Sequence, residues 1–233
     1  DFRNYTYNQT SWASVIANTE LFVAFGGVPL RNGQIGQGGV GRHIQRDSIL
    51  AAHENGVKFI SISPLKSDMD DGVQATWLPI RPNTDTALIL ALCYELLDKQ
   101  LCDKNFLDRY TVGFDKFSEY LHGTHDGIAK TAEWASAICD MQADDICRLA
   151  AQMATHRTML SLSWSLTRQA HGEQPFWAGV VLAAMLGQIG LPGGGFGFGY
   201  SATNTVGNNF HRNMPIADLP QGRNPVNSFI PVA

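Results

Sequence analysis

The sequence predicts an α/β fold in which a Rossmann-like parallel sheet carries helices on both faces. Two observations lead to this prediction. Short apolar runs alternate with helical patterns through the first half of the chain, and the connections between them are short. Alternation of this kind is typical of a parallel sheet covered by helices on both sides. The 233 residues, of which 44% are hydrophobic, are sufficient for one large buried core.

The predicted strands are short apolar runs bounded by turn residues. The first is ELFVAFGG, which ends in a glycine turn, and the second is VKFISIS. Continuous apolar runs of this length are typical of strands that are buried on both faces of a parallel sheet. In chain order we place the strands at 20–27, 57–63, 76–80 and 158–163.

The helical patterns fall into two groups. Those that alternate with the strands lie at 10–18, 42–55 and 85–100, and a further apolar helix is expected at 176–186. The helix from Asp85 has an apolar face and follows residues that are able to cap it. A more polar group is expected to form a helical insert packed beside the sheet, with helices at 103–110, 114–121, 131–138 and 142–155.

The character of the chain changes after residue 168. We therefore predict a Rossmann-like domain over 1–168 and a partial segment of a neighbouring α/β domain over 169–233. The stretch from 190 is rich in Gly, Asn and Pro, so we expect it to be irregular and to lie on another surface. Because the sequence begins without Met and closes on the apolar SFIPVA, we expect a piece of a longer protein.

Composition limits the classes of partner. The net charge is −4 and no Lys/Arg-rich run is present, so nucleic acid is not an expected partner. No apolar stretch is as long as the roughly 18 residues of a membrane-spanning helix. The four cysteines are far apart and form no C-x-x-C pair, so we expect packed thiols rather than disulfides, metal ligands or an iron–sulfur site.

Ligands of doubly wound sheets bind beyond the carboxyl ends of the strands, and four polar or glycine-rich segments follow predicted strands here. The first runs from Phe25 to Asn32. Its glycine pair frees backbone N–H groups for a diphosphate or a pterin edge, although a plain strand-to-loop turn has the same pattern. From this segment we select as candidate cofactor-binding residues Gly26, Gly27, Val28, Pro29 and Arg31.

The second segment, from Ser63 to Asp68, places two hydroxyls, an ammonium group and a carboxylate after the second strand. In nucleotide-binding sheets a residue at this place contacts the ribose, and Lys66 is suited to a phosphate. A solvated surface loop is the alternative interpretation. The candidate residues of this segment are Ser63, Pro64 and Ser67.

The third segment is Asn83-Thr84-Asp85, and all three residues are candidates for cofactor binding. A carboxylate at Asp85 matches the paired N1–H and N2–H₂ donors on the edge of a guanine. The same residues form a good helix N-cap, and both interpretations can hold together.

The fourth segment, Trp164 to His171, follows the last predicted strand. The planar guanidinium of Arg168 suits a phosphate or an oxyanion, and Trp164 suits a stacked ring or the wall of a substrate pocket. The alternative is a loop arginine paired with Glu173, and we interpret His171 as a structural hydrogen-bonding residue.

The sequence contains no catalytic triad pattern, no H-E-x-x-H, no Walker loop and no metal-ligand spacing, so no metal ligand is assigned. We therefore expect the four segments to bind a group that carries the chemistry rather than to react themselves.

Several stretches resemble the molybdopterin oxidoreductases, in particular the branch that reduces dimethyl sulfoxide, trimethylamine N-oxide and biotin sulfoxide. PNTD is shared across that family, whereas HGEQP and GLPGGGFGFGY point to this branch. The resemblance covers nearly the whole chain. The matching stretches are ISPLKSD (62–68), LPIRPNTDTALILAL (78–92), GFDKFSEYLHG (113–123), SLTRQAHGEQPFW (165–177), GQIGLPGGGFGFGYS (187–201) and GRNPVNSFIPVA (222–233).

The resemblance implies that the first three segments wrap the guanosine and diphosphate of one molybdopterin guanine dinucleotide, two of which hold molybdenum in such enzymes. It implies that Trp164 and Arg168 reach toward the active-site funnel as catalytic residues, with Gln169 beside them as a cofactor-binding residue. In this branch a serine ligates the metal from a segment upstream of the matched part, so no serine here is assigned to it. The chain would then be about the central third of an enzyme.

The leading hypothesis is that the chain is a fragment of a molybdenum-dependent S-/N-oxide reductase. The fragment alone is expected to be inactive. In the intact enzyme the substrate, R₂S=O or R₃N–O, loses its oxygen atom. Two electrons and two protons then release water, and the electrons come from an external cytochrome or reductase. The periplasm is favoured over the cytoplasm of a bacterium. The alternatives are a non-catalytic Rossmann-like nucleotide-binding module and a folded piece without ligand affinity.

Overall fold

The computed structural model describes residues 8–36, 42–200, 202–208, 220, 222–223 and 225–228. Within them, parallel strands form one five-stranded sheet in the order β3-β2-β1-β4-β5. The chain winds outwards from β1 in both directions, as it does in a Rossmann-like sheet. The strands are β1 (Leu21–Phe25), β2 (Lys58–Ile62), β3 (Thr76–Leu78), β4 (Thr158–Leu162) and β5 (Gly195–Phe198).

Helices surround the sheet, and every helix and strand predicted from the sequence is present. The largest shift of a boundary is at α2, which begins at Gln45 rather than at 42. Short 3₁₀ turns cover Lys66–Asp68, Asp71–Val73 and Trp164–Thr167. The α-helices are α1 (Trp12–Asn18), α2 (Gln45–Glu54), α3 (Asp85–Asp98), α4 (Lys104–Tyr110), α5 (Phe114–Leu121), α6 (Ala132–Cys139), α7 (Ala143–Thr155) and α8 (Gln174–Met185).

Each face of the sheet has its own hydrophobic core, because side chains of a strand alternate between the faces. On β1, Leu21, Val23 and Phe25 pack in the larger core with α3, α6, α7 and α8. Phe22 and Ala24 point the other way and pack in the smaller core with α1 and α2. The predicted cover of helices on both faces is confirmed.

The predicted helical insert is formed by α4 to α7, which lie in the chain between α3 and β4. Helix α3 is the centre of this packing and contacts α5, α6, α7 and α8. Leu88, Ile89, Leu92 and Leu96 of α3 are fully buried. The insert and the sheet therefore hold α3, and with it the residue at its start, Asp85, in a fixed position.

Residues 195–198 form the edge strand β5, although a glycine-rich loop was expected there from the sequence. β5 pairs in parallel with β4 over its whole length. Gly179 of α8 provides the necessary space, since a Cβ at this position would lie 2.9 Å from the ring of Phe196. The sheet thus continues across residue 168 and is completed by β5. The proposed division into two parts at residue 168 stays a prediction.

The four cysteines, Cys93, Cys102, Cys139 and Cys147, are free thiols. Burial raises the pKa of all four, and that of Cys102 to about 11. These side chains are therefore protonated near neutral pH. Cys93 and Cys139 are buried, as expected of packed thiols, and Cys102 and Cys147 are half-buried.

Candidate functional site

The carboxyl ends of the parallel strands meet at one edge of the sheet, and the four predicted segments follow them. Backbone hydrogen bonds tie neighbouring ends together. Gly26 N–H donates to Ile62 O at 2.8 Å, and Ser163 N–H donates to Phe25 O at 2.8 Å. The third segment leads from β3 into the start of α3. The fold therefore brings the segments chosen from the sequence to a common edge.

Gly26 and Gly27 form the turn that leaves β1. Their φ angles are +83° and +67°, in the left-handed region that favours glycine. A Cβ on Gly26 would lie 2.6 Å from the Cβ of Ser163, and a Cβ on Gly27 would collide with the backbone carbonyl of Asp68. Both glycines are therefore required by close packing between strand ends.

The backbone N–H groups of this turn are used inside the protein. Gly26 donates to a carbonyl of β2 at 2.8 Å, and Gly27 donates to a carbonyl of β1 at 3.4 Å. Val28, which is fully buried, donates to Asp68 O at 2.7 Å. The expectation that the glycine pair frees these N–H groups for a ligand is therefore wrong, because carbonyls of β2 and β1 already accept from Gly26 and Gly27. Pro29 is also buried.

Asp68 connects the first two segments. Its Oδ1 accepts a hydrogen bond from Arg31 Nη2 at 2.5 Å, and its Oδ2 accepts one from the Ser63 hydroxyl at 2.5 Å. Ser63 is fully buried, and its oxygen also accepts from the N–H of Leu65 at 3.3 Å. The hydroxyl of Ser63 thus holds the loop in place rather than facing solvent. The exposed candidates of the two segments are Arg31, Pro64 and Ser67.

Asp85 is a buried carboxylate at the first position of α3. It is 3% exposed, and neither an ion pair nor a side-chain hydrogen bond joins it to any other residue in the described part of the chain. Burial raises the pKa of its carboxyl from 3.8 to about 6, and a hydrogen bond from its own backbone N–H acts in the opposite direction. A carboxylate in this position gains stability from a pair of donors supplied by a ligand.

Asn83 and Thr84 lead into α3. Asn83 is exposed and has a φ of +67°. Thr84 occupies the N-cap position, but its hydroxyl donates to Arg81 O at 2.7 Å and accepts no hydrogen bond from the helix. The side-chain N-cap that the sequence suggested is therefore not formed by Thr84.

Three aromatic residues line a shallow apolar cavity of about 330 Å³ at the ends of β4 and β5. The ring centroids of Trp164 and Phe198 are 6.4 Å apart, and those of Phe176 and Phe198 are 6.1 Å apart. Gly199 makes room for the indole, because a Cβ there would collide with Trp164. The cavity provides an apolar wall from which water is readily displaced.

Arg168 is exposed, and within the described ranges it forms no ion pair. Glu173, the partner suggested as an alternative, instead lies 4.0 Å from Nδ1 of His171. The side chain of Gln169 donates to Leu166 O at 2.9 Å and so stabilises the loop. The guanidinium of Arg168 is thus available to a ligand, whereas Gln169 is engaged in local structure.

Asp68, Phe176 and Phe198 lie at this edge but were not selected from the sequence. Asp68 is visible as a carboxylate after the second strand, but its partner Arg31 lies 37 residues earlier, and no local pattern connects the two. Phe198 belongs to β5, which was not predicted as a strand because its sequence is rich in glycine. A search for apolar residues alternating with glycine after the last helix would have found it.

The remaining surface contains a further cavity of about 260 Å³, at the amino ends of β1, β2 and β3. It lies at the edge opposite to the one that ligands occupy in sheets of this class. Among the residues that the structure describes, no group of three or more His, Cys, Asp and Glu is placed to hold a metal ion. None of the described helices has the length and apolarity needed to cross a membrane.

Comparison with known proteins identifies the family. The family model for molybdopterin oxidoreductases matches residues 2–231. The chain belongs to the molybdopterin oxidoreductase family. The resemblance inferred from PNTD, HGEQP and the glycine-rich stretch is therefore confirmed.

Curated relatives of this molybdopterin oxidoreductase chain fall in the S- and N-oxide reductase branch. Biotin sulfoxide reductase of Cereibacter sphaeroides is 46% identical over 94% of this chain and 29% of its own length. Dimethyl sulfoxide/trimethylamine N-oxide reductase of the same organism is 43% identical over 84% of this chain and 24% of its own length. Trimethylamine-N-oxide reductase of Haemophilus influenzae is 42% identical over 84% of this chain and 24% of its own length. The chain thus spans about a quarter of the length of these relatives.

A solved structure supports the fold. Acetylene hydratase from Pelobacter acetylenicus superposes with a TM-score of 0.59 over 80% of this chain and 24% of that chain, at 23% sequence identity. The likeness extends to the arrangement of strands and helices around the sheet, in agreement with the α/β architecture.

Proposed function

We propose that the protein containing this chain is a molybdenum-dependent reductase of S- and N-oxides. We further propose that the carboxyl edge of the sheet binds the guanosine diphosphate part of one of two molybdopterin guanine dinucleotides. The observation that carries this proposal is the buried carboxylate of Asp85, which forms no ion pair and no side-chain hydrogen bond with another described residue, although its own backbone N–H donates to it. The N1–H and N2–H₂ groups of a guanine form a donor pair that matches the two oxygens of this carboxylate.

The charges along the edge also fit a dinucleotide. The chain carries a net charge of −4, yet Arg31, Lys66 and Arg168 are all exposed at or next to strand ends. Exposed cations at this edge of the sheet are suited to a diphosphate, which is the anionic part of such a cofactor. The donor set and the charge distribution therefore agree with the same ligand.

When bound, the cofactor supplies the redox chemistry in which an oxide loses its oxygen atom, two electrons and two protons are consumed, and water is released. The residues of this chain would bind and orient. Arg168 would donate hydrogen bonds to the oxide oxygen or to the pterin edge through its planar fork. The apolar wall of Trp164, Phe176 and Phe198 would exclude water from the funnel.

Substrates of the whole protein are proposed at the level of class. The relatives are named for biotin sulfoxide, dimethyl sulfoxide and trimethylamine N-oxide. We propose a small S- or N-oxide as the substrate, an external cytochrome or reductase as the electron donor, and the bacterial periplasm ahead of the cytoplasm as the compartment.

The proposal is tested with the full-length protein that contains this chain, prepared with and without molybdenum. Oxidation of a reduced viologen dye is followed after addition of trimethylamine N-oxide, dimethyl sulfoxide or biotin sulfoxide. We expect oxide-dependent dye oxidation with at least one of them, and none in the molybdenum-free preparation. A molybdenum-loaded protein that binds guanine nucleotide but reduces none of the three would support the non-catalytic alternative.

A further inference from the structure

Asp68 is joined to three parts of the carboxyl edge at once. Its Oδ1 accepts from Arg31 and its Oδ2 accepts from Ser63, both at 2.5 Å. Its backbone carbonyl accepts from Val28 N–H at 2.7 Å. The residue is 8% exposed. One buried residue therefore sets the relative positions of the glycine turn, the second segment and an exposed cation.

Arg31, unlike Asp68, is exposed to solvent. Its side chain is 56% exposed, whereas that of Asp68 is 11% exposed. A guanidinium has five N–H donors in one plane, and the contact with Asp68 uses a single nitrogen. The carboxylate thus holds one side of the plane while the other donors point away from it. Arginine held in this way is suited to bidentate contact with phosphate oxygens.

A similar ion pair in the same loop offers a comparison. Asp70, two residues further on, pairs with Arg46 Nε at 2.9 Å and accepts from Gly72 N–H at 2.8 Å. The side-chain exposures are 11% for Asp70 and 61% for Arg46, close to those of the first pair. This second pair joins the loop to α2 and not to the glycine turn. The Arg46–Asp70 pair is therefore also an arginine–aspartate ion pair, but it makes no contact with the glycine turn.

We propose that Asp68 is a positioning residue for the cofactor, which orients the Arg31 guanidinium toward the diphosphate of the dinucleotide. The inference rests on the proposed binding of guanosine diphosphate at this edge. Asp68 itself does not touch the cofactor in this scheme, because both of its carboxylate oxygens are already occupied by Arg31 and Ser63. Its effect passes through Arg31.

Two physical effects of the Asp68 charge oppose each other, and the experiment separates them. A negative charge close to an anionic ligand repels it, so simple electrostatics predicts that Asp68→Asn strengthens diphosphate binding. Positioning predicts the reverse, because an uncharged amide holds the guanidinium less firmly. The sign of the change in affinity therefore decides between them.

The test uses the cofactor-free full-length protein and two probes, GDP and guanosine, with dissociation constants measured by titration calorimetry. For Asp68→Asn we expect about tenfold weaker binding of GDP and unchanged binding of guanosine, which has no phosphate for Arg31 to contact. Arg31→Ala is expected to give the same selective loss. In the double variant Asp68→Asn should add nothing further, because the residue through which it acts is gone.

Asp70→Asn is the matched control. It removes an ion pair of equal exposure from the same loop, so we expect a similar change in melting temperature with unchanged GDP affinity. Arg31 is more than half exposed, and Arg31→Ala keeps the test available if Asp68→Asn fails to fold. Unchanged GDP binding in Arg31→Ala would overturn the inference.

Three other results would also overturn it. Tighter GDP binding by Asp68→Asn would show that repulsion dominates. Equal loss of GDP and guanosine would show that Asp68 only maintains the fold. Failure of the unsubstituted protein to bind either probe would remove the proposed guanosine site itself. That last outcome is distinguishable because it is seen before any substitution is made.

Discussion

The Cα of Gly26 packs directly against the side chain of Ser163, at the point where β1 and β4 end side by side. A Cβ built on Gly26 would lie 2.6 Å from the Cβ of Ser163, a separation that real side chains do not tolerate. The φ of Gly26 is +83°, so glycine is required by conformation as well as by space. The entrance to the proposed cofactor site is therefore fixed by a backbone contact.

Gly26→Ala should destabilise the cofactor-free full-length protein by about 2–4 kcal/mol, because the strain of a left-handed residue and the collision with Ser163 add together. Gly56→Ala is the control, since Gly56 has a φ of +93° but nothing within 4 Å of a new Cβ. It should cost only about 1–2 kcal/mol. Urea unfolding of both variants gives the comparison, and equal losses would disprove the contact.

Asp85→Asn should stabilise the cofactor-free protein above pH 6 and lose that advantage as the pH falls. The folded carboxyl has its pKa raised from 3.8 to about 6, chiefly by burial. Between these values the folded state holds the proton more tightly, so ionisation above pH 6 costs the fold about 3 kcal/mol. Unfolding free energies of both proteins, measured from pH 4 to pH 8, should diverge as the pH rises.

The same Asp85→Asn substitution should reduce the guanine nucleotide retained by the full-length protein, because an amide presents one acceptor where a guanine needs two. Nucleotide released by acid is measured per folded molecule. Normal retention together with lower stability at pH 8 would show instead that Asp85 serves the start of α3.

Arg168→Lys should leave thermal stability unchanged and lower kcat/KM at least about tenfold, or roughly 1.4 kcal/mol of transition-state stabilisation. The reason is that Arg168 is exposed without an ion pair in the described residues, and that lysine keeps the charge but not the planar fork. Arg148→Lys, at an exposed arginine paired with Asp145 on α7, is the control. Steady-state kinetics with trimethylamine N-oxide on molybdenum-loaded enzyme decide the matter, and unchanged values would make Arg168 an ordinary surface residue.

Gly179→Ala should destabilise the protein by about 1–3 kcal/mol, although alanine in a helix interior is usually favoured over glycine by about 1 kcal/mol. The added Cβ would lie 2.9 Å from the Phe196 ring and 3.2 Å from Leu162. Val180→Ala, at the next and exposed position, should change stability by no more than about 0.5 kcal/mol. A stabilised Gly179→Ala would mean that β5 does not pack against α8.

Local pattern was sufficient to predict most of the fold. The strand β1 is a continuous apolar run, and β2 and β4 are predominantly apolar. The spacing of Leu88, Leu92 and Leu96 shows the buried face of α3. Because parallel strands present their carboxyl ends at one edge, the sequence order alone grouped Gly26, Ser63 and Asp85. These predictions depend on periodicity and topology, which neighbouring residues encode.

The features that escaped prediction depend on contacts between distant parts of the chain. GFGF at 195–198 has a low intrinsic preference for a strand, and it forms one because β4 and Gly179 accept it. Ser63 was chosen as a ligand contact, but its hydroxyl is buried against Asp68. Arg31 and Asp68 are 37 residues apart in the sequence, so no local pattern predicts that they pair.

The most direct test of the central claim is the content of molybdenum and nucleotide in the full-length protein. Molybdenum is measured by mass spectrometry, and nucleoside monophosphates released by acid are separated by chromatography. We predict two GMP for each molybdenum, because the proposed cofactor holds two guanine dinucleotides, and the buried carboxylate of Asp85 is matched to the guanine edge of one of them. Release of CMP, or a protein that carries molybdenum without any nucleotide, would contradict the account.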